Sequence, residues 1–101
     1  ILDTIREYVA DGNITLSVHA IERQDERDIT YEDCEYVLET GWHEKRKDEY
    51  KHGAWRYALR GKTLDGVEIR VAVAIVENVL IVTVIRLKED ESDDQVSRIR
   101  I

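Results

Sequence analysis

The sequence predicts an α+β domain in which two or three N-terminal helices pack on a three- to four-stranded antiparallel sheet. Two observations favour this class. Apolar residues before Gly41 recur with the period of a helix, and after Gly41 the period changes to the alternation typical of strands. The chain has 101 residues, which suffices for one domain with a modest core.

The first two helices are predicted from an apolar stripe and a cap. Leu2, Ile5 and Val9 recur at helical spacing, so a short amphipathic helix is expected there. Ser17 is a suitable N-cap for a second helix, because its hydroxyl can accept a hydrogen bond from the first helical turn. Residues 13–16 are expected to form a brief extended link between the two helices.

The third helix has the clearest local signal. Thr30 and Asp33 have the spacing of a capping box, with Asp in place of the usual Glu. An apolar stripe that includes the single cysteine, Cys34, follows, and Gly41 ends the helix. We expect Cys34 to be a buried thiol, and one cysteine cannot form an intrachain disulfide.

The remainder of the domain is predicted to be an antiparallel meander. Residues 42–50 are charged and are expected to form an edge strand, whereas residues 54–60 alternate in polarity. Residues 67–76 and 79–87 are almost continuously apolar, so they are expected to be central strands.

Charge is distributed unevenly along the chain. The formal net charge of −7 argues against a protein that binds nucleic acid through overall positive charge. Residues 1–41 carry 3 basic and 11 acidic side chains (−8), residues 42–88 carry 10 and 6 (+4), and residues 89–101 carry 2 and 5 (−3). The domain is therefore predicted to span residues 1–88, followed by an acidic tail in which residues 96–101 are a candidate last edge strand.

No targeting segment, membrane span or cofactor motif is apparent. The longest apolar run, residues 71–76, is far shorter than the ~20 residues that cross a bilayer. The N-terminus is charged and amphipathic, unlike a signal peptide, so a cytoplasmic location is expected. The sequence has no phosphate-binding glycine loop, dinucleotide fingerprint or zinc-ligand spacing, and neither a cofactor nor a metal is expected.

One stripe of the second helix carries candidate catalytic residues. His19, Arg23 and Arg27 lie four residues apart, so their side chains line one side of the helix. An imidazole can transfer a proton, and a guanidinium can hold a phosphate and stabilise the charge that develops on it. This set suits phosphodiester cleavage. Acidic residues flank the stripe, so a solvated, salt-bridged helix surface is the alternative interpretation.

A second basic group is predicted on the sheet. Arg56 and Arg60 share one strand face. If the loop after Arg60 pairs this residue with position 67, and a two-residue turn at 77–78 pairs position 69 with Arg86, Arg86 joins the same face. These arginines either bind phosphate or cover the sheet edges with their apolar stems.

Further polar residues of the strands also have two interpretations each. Tyr57 alternates inward with Trp55 and is either a core residue or a base-stacking residue. Thr83 interrupts an apolar strand, so it either forms a hydrogen bond across the sheet or faces a site. The basic run from Lys45 to Lys51 is either a solvated edge strand or a contact for a phosphate backbone.

Taken together, these segments resemble a known family. Residues 17–27, with their Ser-x-His-Ala-x-x-Arg-x-x-x-Arg spacing, the aromatic strand at 55–61 and the Val-Thr-Val-Ile run at 82–85 resemble domain of unknown function family 4258, over roughly residues 1–88. The resemblance implies a RelE- or MqsR-like fold in the barnase, EndoU, colicin and RelE grouping of small RNases, with helices on a curved antiparallel sheet.

The resemblance also implies an activity and partners. Members of this grouping cleave RNA without a metal, often as toxins paired with a small antitoxin. The expected partners are therefore RNA, with ribosome-bound mRNA as one candidate form, and a small antitoxin protein, and no membrane.

The matching positions and the basic group predicted on the sheet together give the expected residue roles. The 2′-OH of RNA would attack the adjacent phosphate, with His19 as general base or acid and with Arg23 and Arg56 holding the phosphate. Tyr57 would orient a base or the 2′-OH. The predicted RNA-binding residues are Arg27, Arg60, Thr83 and Arg86.

The acidic segments favour an alternative function. RelE-type toxins are typically basic, whereas residues 1–41 and 89–101 of this chain are acidic. The alternative is a non-catalytic interaction module of the same fold, whose acidic helices bind a basic partner.

Overall fold

The computed structural model describes residues 1–87, except for the side chains of residues 23–27. The predicted acidic tail, residues 89–101, and its candidate edge strand, residues 96–101, lie outside the described residues. None of the helices in the described part of the chain is long and apolar enough to cross a membrane.

The described residues form three helices and six strands. The helices are α1 (Leu2–Ala10), α2 (Val18–Arg27) and α3 (Tyr31–Thr40). The strands are β1 (Ile14–Leu16), β2 (Trp42–His43), β3 (Glu49–Lys51), β4 (Ala54–Lys62), β5 (Glu68–Ile75) and β6 (Val79–Arg86), with a 3₁₀ turn at Lys45–Lys47. The predicted α+β class is confirmed.

The sheet is larger and more varied than predicted. In residues 1–87 it has six strands in the order β1-β6-β5-β4-β2, with β3 paired to the start of β4, and β1 runs parallel to β6. The prediction of three to four antiparallel strands was therefore wrong in number and in direction. The central β4–β5–β6 meander forms as expected. The edge strand predicted over residues 42–50 is divided by the 3₁₀ turn into the short strands β2 and β3. Strand β1, expected only as an extended link, has three residues, which is too short for alternation to distinguish a strand from a loop.

Helices α1 and α3 cover one face of the sheet and enclose the core. Alternation in β4 to β6 directs Leu59, Val71 and Val84 toward these helices. The fully buried apolar side chains are Ile5, Ala20, Cys34, Val37, Leu38, Leu59, Ile69, Val71, Val73, Val79, Ile81 and Val84. Each large aliphatic side chain buried there contributes about 1.5–3 kcal/mol. The prediction of a buried Cys34 is confirmed.

Both ends of α3 are held by specific contacts. The Thr30 hydroxyl accepts from the Asp33 N–H at 3.1 Å, and the Asp33 carboxylate accepts from the Thr30 N–H at 3.0 Å, which confirms the capping box. At the other end, a Cβ on Gly41 would lie 2.5 Å from the carbonyl oxygen of Arg60. Arg6 Nη2 donates to the Gly41 carbonyl at 2.8 Å, so α1 is joined to the end of α3.

The β5–β6 hairpin contains a bulge. Ile75 pairs with Val79, so the turn has three residues where two were predicted. One extra residue of β6, Val82, has no partner on β5 and shifts the register back. The two irregularities compensate, and Ile69 pairs with Arg86 as predicted.

The register between β4 and β5 corrects the predicted basic group. Arg60 pairs with Arg70, three positions beyond the predicted partner. An odd shift reverses the face of every side chain. Arg56, Arg60 and Arg70 therefore share the face turned away from α1 and α3, which we call the outer face. Arg86 lies opposite the core residue Ile69, on the other face, so the expectation that it joins Arg56 and Arg60 was wrong.

Candidate functional site

A cleft of about 420 Å³ lies on the outer face, between the start of α2 and the β3–β4 hairpin. Its polar lining brings two imidazoles, His19 from α2 and His52 from the hairpin turn, together with the cations of Lys51 and Arg56. The cleft thus unites His19 and Arg56, which are 37 positions apart in the sequence.

The start of α2 is anchored on the bulge of β6. The Ser17 hydroxyl donates to the Val82 carbonyl at 2.9 Å and accepts from the Ala20 N–H at 3.0 Å, which confirms Ser17 as the N-cap. The Ser17 N–H also donates to the Ile81 carbonyl at 3.0 Å. Ala20 is fully buried and His19 is exposed, so the anchored first turn holds the imidazole at the cleft.

The β3–β4 hairpin delivers the other polar residues. Lys51 pairs with Ala54, so the turn consists of His52 and Gly53, both with positive φ (53° and 80°), the pattern of a type I′ turn. A tight turn of this type fixes the strand register, and hence the positions of Lys51 and Arg56 on the cleft side.

The cleft cations differ from the other outer-face arginines in their contacts. Within the part of the chain that the structure describes, no hydrogen bond or ion pair engages the side chain of Arg56 or Lys51. By contrast, Arg70 Nε donates to Glu44 at 2.7 Å, and Arg60 Nη1 donates to the same carboxylate at 3.2 Å. Arg60 and Arg70 are thus paired with a carboxylate, whereas the guanidinium of Arg56 has no such partner among the described residues.

Glu44 is the centre of this ion-pair network. Its side chain is fully buried, and Arg60 is shared with Glu68 at 3.0 Å. Burial alone would raise the pKa of Glu44, but hydrogen bonds and positive charge from Arg70 and Arg60 outweigh it and hold that pKa below its ordinary value. The carboxylate is therefore charged at neutral pH, and Arg60 has a structural role whether or not it contacts RNA.

Tyr57 lies away from the cleft. Its side chain is on the helix-covered face and lines a second cavity of about 570 Å³ with His43 and Asp48. His43 Nε2 lies 2.8 Å from Asp48 Oδ2, and the Tyr57 ring meets His43 edge-on with centroids 6.0 Å apart. The sheet separates Tyr57 from His19.

The other predicted RNA contacts are dispersed. Thr83 is opposite Ala72 on the outer face and is not among the residues that line the cleft, and Arg86 is on the opposite face. Arg23 and Arg27 belong to α2, but their side chains lie outside the described residues. Their roles therefore stay predictions.

His52 was not among the catalytic residues predicted from the sequence. The segment Lys51-His52-Gly53 was recognisable as a turn, and its basic character was apparent. No local pattern shows that this turn faces the start of α2, because the two are brought together only through the pairing of β4, β5 and β6. The signal available in the sequence was a histidine in a glycine-containing hairpin turn, four residues before Arg56.

The lining of the cleft suits chemistry on a phosphodiester. Two imidazoles can carry protons to and from oxygen, and two cations can hold a phosphate. Among the side chains that the structure describes, no three His, Cys, Asp or Glu residues are grouped to hold a metal ion.

Comparison with known proteins identifies the family. The profile of the domain of unknown function DUF4258 matches residues 16–86, a span that runs from the end of β1 to the end of β6 and includes the whole cleft lining. No curated protein matches the chain significantly. The protein therefore belongs to the DUF4258 family.

Proposed function

We propose that this protein is a metal-independent endoribonuclease that cleaves RNA through attack of the 2′-OH. The observation that supports the proposal is that His19, His52, Lys51 and Arg56 line one cleft. A neutral imidazole and a protonated imidazole can act as base and acid at a phosphate held by cations.

The reaction has a defined balance of bonds and protons. One imidazole takes the proton of the 2′-OH while the 2′-oxygen bonds to the adjacent phosphorus. The bond from phosphorus to the 5′-oxygen of the next nucleotide breaks, and the other imidazole protonates that oxygen. The products are a 2′,3′-cyclic phosphate and a free 5′-OH.

The residues divide this work by chemistry. His19 and His52 are the two proton carriers, and either can serve as the base. Arg56 holds the phosphate and stabilises the additional negative charge of the pentacovalent state, and Lys51 adds a second positive charge at the hairpin side. Since the base must be neutral and the acid protonated, the rate should pass through a maximum as pH changes.

Cleavage of a single-stranded RNA in the presence of EDTA tests this proposal. We expect the wild-type protein to cleave, His19→Ala and His52→Ala to be slower by about 10²–10⁴-fold, and Arg56→Ala by about 10²-fold. Lys62→Ala is the matched control, because Lys62 is an exposed cation at the other end of β4 from Arg56. Equal rates for wild type and His19→Ala, or full dependence on a divalent cation, would contradict the proposal.

The proposed biological role is that of a cytoplasmic toxin with a small protein antitoxin. Its support is the resemblance of the sequence to the RelE- and MqsR-like RNase toxins, together with the cleft. Induced expression of the wild-type protein should arrest bacterial growth, whereas expression of His19→Ala to the same level should not. Arrest by both proteins would separate toxicity from RNA cleavage and contradict this role.

The acidity of residues 1–41 favours a second candidate function. Residues 1–41 carry 3 basic and 11 acidic side chains, which suits an interaction module that binds a basic partner. The two functions differ in RNA binding. The module requires none, whereas the nuclease binds single-stranded RNA with an affinity that falls as salt rises. Absence of RNA binding at low salt would favour the module.

A further inference from the structure

We infer that the floor of the cleft is a subsite for one unstacked nucleobase, so that the substrate is single-stranded rather than double-stranded RNA. The inference rests on the proposed function, since it names the substrate class of the same site. The observation behind it is the separation of the cleft into an apolar floor and a cationic rim.

The floor is built from apolar side chains of β5 and β6. Ala74, Leu80 and Val82 line it, and Ala74 is 6% exposed at its base. Ala74 pairs with Leu80 on the outer face, and alternation from Leu80 places Val82 on that face as well. The bulge at Val82 then keeps Thr83 on the outer face, opposite Ala72, and returns Val84 to the core, opposite Val71.

The dimensions fit one nucleotide. The volume of about 420 Å³ lies at the lower end of the range for small-molecule sites. Arg56 is on β4, the neighbour of the strand that carries Ala74, so a phosphate at the guanidinium leaves its own base within reach of the floor. Because the side chain of Ala74 is small, it leaves open the volume that the base would occupy.

A base can lie on this floor only when it is unstacked. In a duplex both faces of each base are covered by neighbours and its edge is paired, whereas bases of single strands and loops can turn outward onto a protein surface. The floor side chains carry no hydrogen-bonding atom. Their contact is therefore with the face of the base, which all four bases possess, and we expect cleavage at many different steps.

Two substitutions on one strand test the subsite by binding. Ala74→Leu fills the floor, and Ala72→Leu is the matched control, because Ala72 lies two residues earlier on the same face and outside the cleft lining. The probes are uridine 3′-monophosphate and inorganic phosphate, titrated with detection by NMR or calorimetry. We expect Ala74→Leu to weaken the nucleotide by about tenfold or more, the equivalent of about 1.4 kcal/mol of base contact, and to leave phosphate unchanged.

A second variant and a second substrate keep the inference testable if Ala74→Leu does not fold. Leu80→Ala removes floor contact without adding bulk and should weaken the nucleotide several-fold while phosphate binding is retained. A 12-nucleotide RNA should also be cleaved at least tenfold faster as a single strand than when annealed to its complement. Cleavage of both forms at the same measurable rate would overturn the inference, as would equal nucleotide binding by wild type and a folded Ala74→Leu or Leu80→Ala.

The outcomes for the subsite and for the nuclease are distinguishable. If uridine 3′-monophosphate binds, Ala74→Leu or Leu80→Ala weakens it and RNA is not cleaved, the subsite stands and the proposed reaction fails. If RNA is cleaved and neither floor substitution changes nucleotide binding, the reaction stands and the subsite is wrong.

Discussion

The buried carboxylate of Glu44 should be a major determinant of stability, and Glu44→Gln tests this. The substitution keeps the shape of the side chain but removes the charge that neutralises Arg70 at 2.7 Å and Arg60 at 3.2 Å. Arg60 retains Glu68 at 3.0 Å, whereas Arg70 loses the ion-pair partner that it has among the described residues. One guanidinium is then left mostly buried without a counter-charge.

The expected loss follows from this geometry. Removal of one member of a buried ion pair costs about 3–5 kcal/mol. The two arginine side chains are 20% and 16% exposed, so water can partly compensate, and we expect the lower end, about 3 kcal/mol. With a urea m-value of about 1.5 kcal/mol/M, the unfolding midpoint would fall by about 2 M.

Glu68→Gln is the matched control for this experiment. Glu68 contacts the same Arg60, but its side chain is 33% exposed, so the loss should be about 1 kcal/mol or less. Urea unfolding followed by tryptophan fluorescence measures both variants. A Glu44→Gln loss no larger than that of Glu68→Gln would refute the account of Glu44 as the charge that holds Arg60 and Arg70.

The stability of the wild-type protein and that of Glu44→Gln should depend differently on pH in the acid range. Because the pKa of Glu44 is lowered in the folded protein, its contribution to stability is complete above the ordinary value of 4.5 and is lost as pH falls through the lower folded value. The difference between wild type and Glu44→Gln should therefore be greatest above 4.5 and shrink in stronger acid. A difference that grows as pH falls would have the wrong sign.

The remaining predictions concern the caps and the cleft. Thr30→Ala removes half of the capping box and should lower the free energy of unfolding by about 1 kcal/mol, and no loss would mean that the box is not formed in solution. Gly41→Ala places a methyl group 2.5 Å from the Arg60 carbonyl oxygen, so a loss of about 2 kcal/mol or more is expected, and an unchanged midpoint would contradict the close approach. Lys51→Ala should make the slope of log affinity for single-stranded RNA against log salt shallower by about 0.7, while Lys62→Ala should leave it unchanged. Equal slopes for wild type and both variants would exclude Lys51 from the RNA contact.

Local features of the fold were predictable because their causes are local. The capping box of Thr30 and Asp33, the N-cap at Ser17 and the helix stop at Gly41 each depend on residues within one turn of a helix. The alternation of β4 likewise places Leu59 in the core without knowledge of its partner.

Long-range features were not predictable to the same degree. The loop between β4 and β5 determines which residue of β5 pairs with Arg60, and hence which side chains of β5 share its face. The predicted partner was position 67, whereas Arg60 pairs with Arg70, so the side chains assigned to the shared face were the wrong ones. Glu44 gave no sign of burial, because its environment is made by Arg60 and Arg70 from two later strands. Strand β1 was not predicted as a strand, because three residues are too few to show the alternation of apolar and polar side chains.

The candidate site shows the same division. His19 was identified from its spacing to other basic residues, and Arg56 from the face of its strand. Their meeting in one cleft depends on the order of β4, β5 and β6 and on the anchoring of α2 to β6 by Ser17. The strand order also places His52 in the cleft. Sequence patterns therefore identified His19 and Arg56 as candidates, but they did not predict that these residues and His52 lie together.

The central claim is that the protein cleaves RNA by attack of the 2′-OH in the cleft. Its most direct test is mass spectrometry of the products from a single-stranded RNA, compared with the same strand carrying 2′-deoxyribose at every cleaved position, both in EDTA. The account predicts fragments ending in a 2′,3′-cyclic phosphate and a 5′-OH, and no cleavage at the deoxyribose positions. Cleavage of the deoxyribose strand, or products that carry a 5′-phosphate, would contradict it.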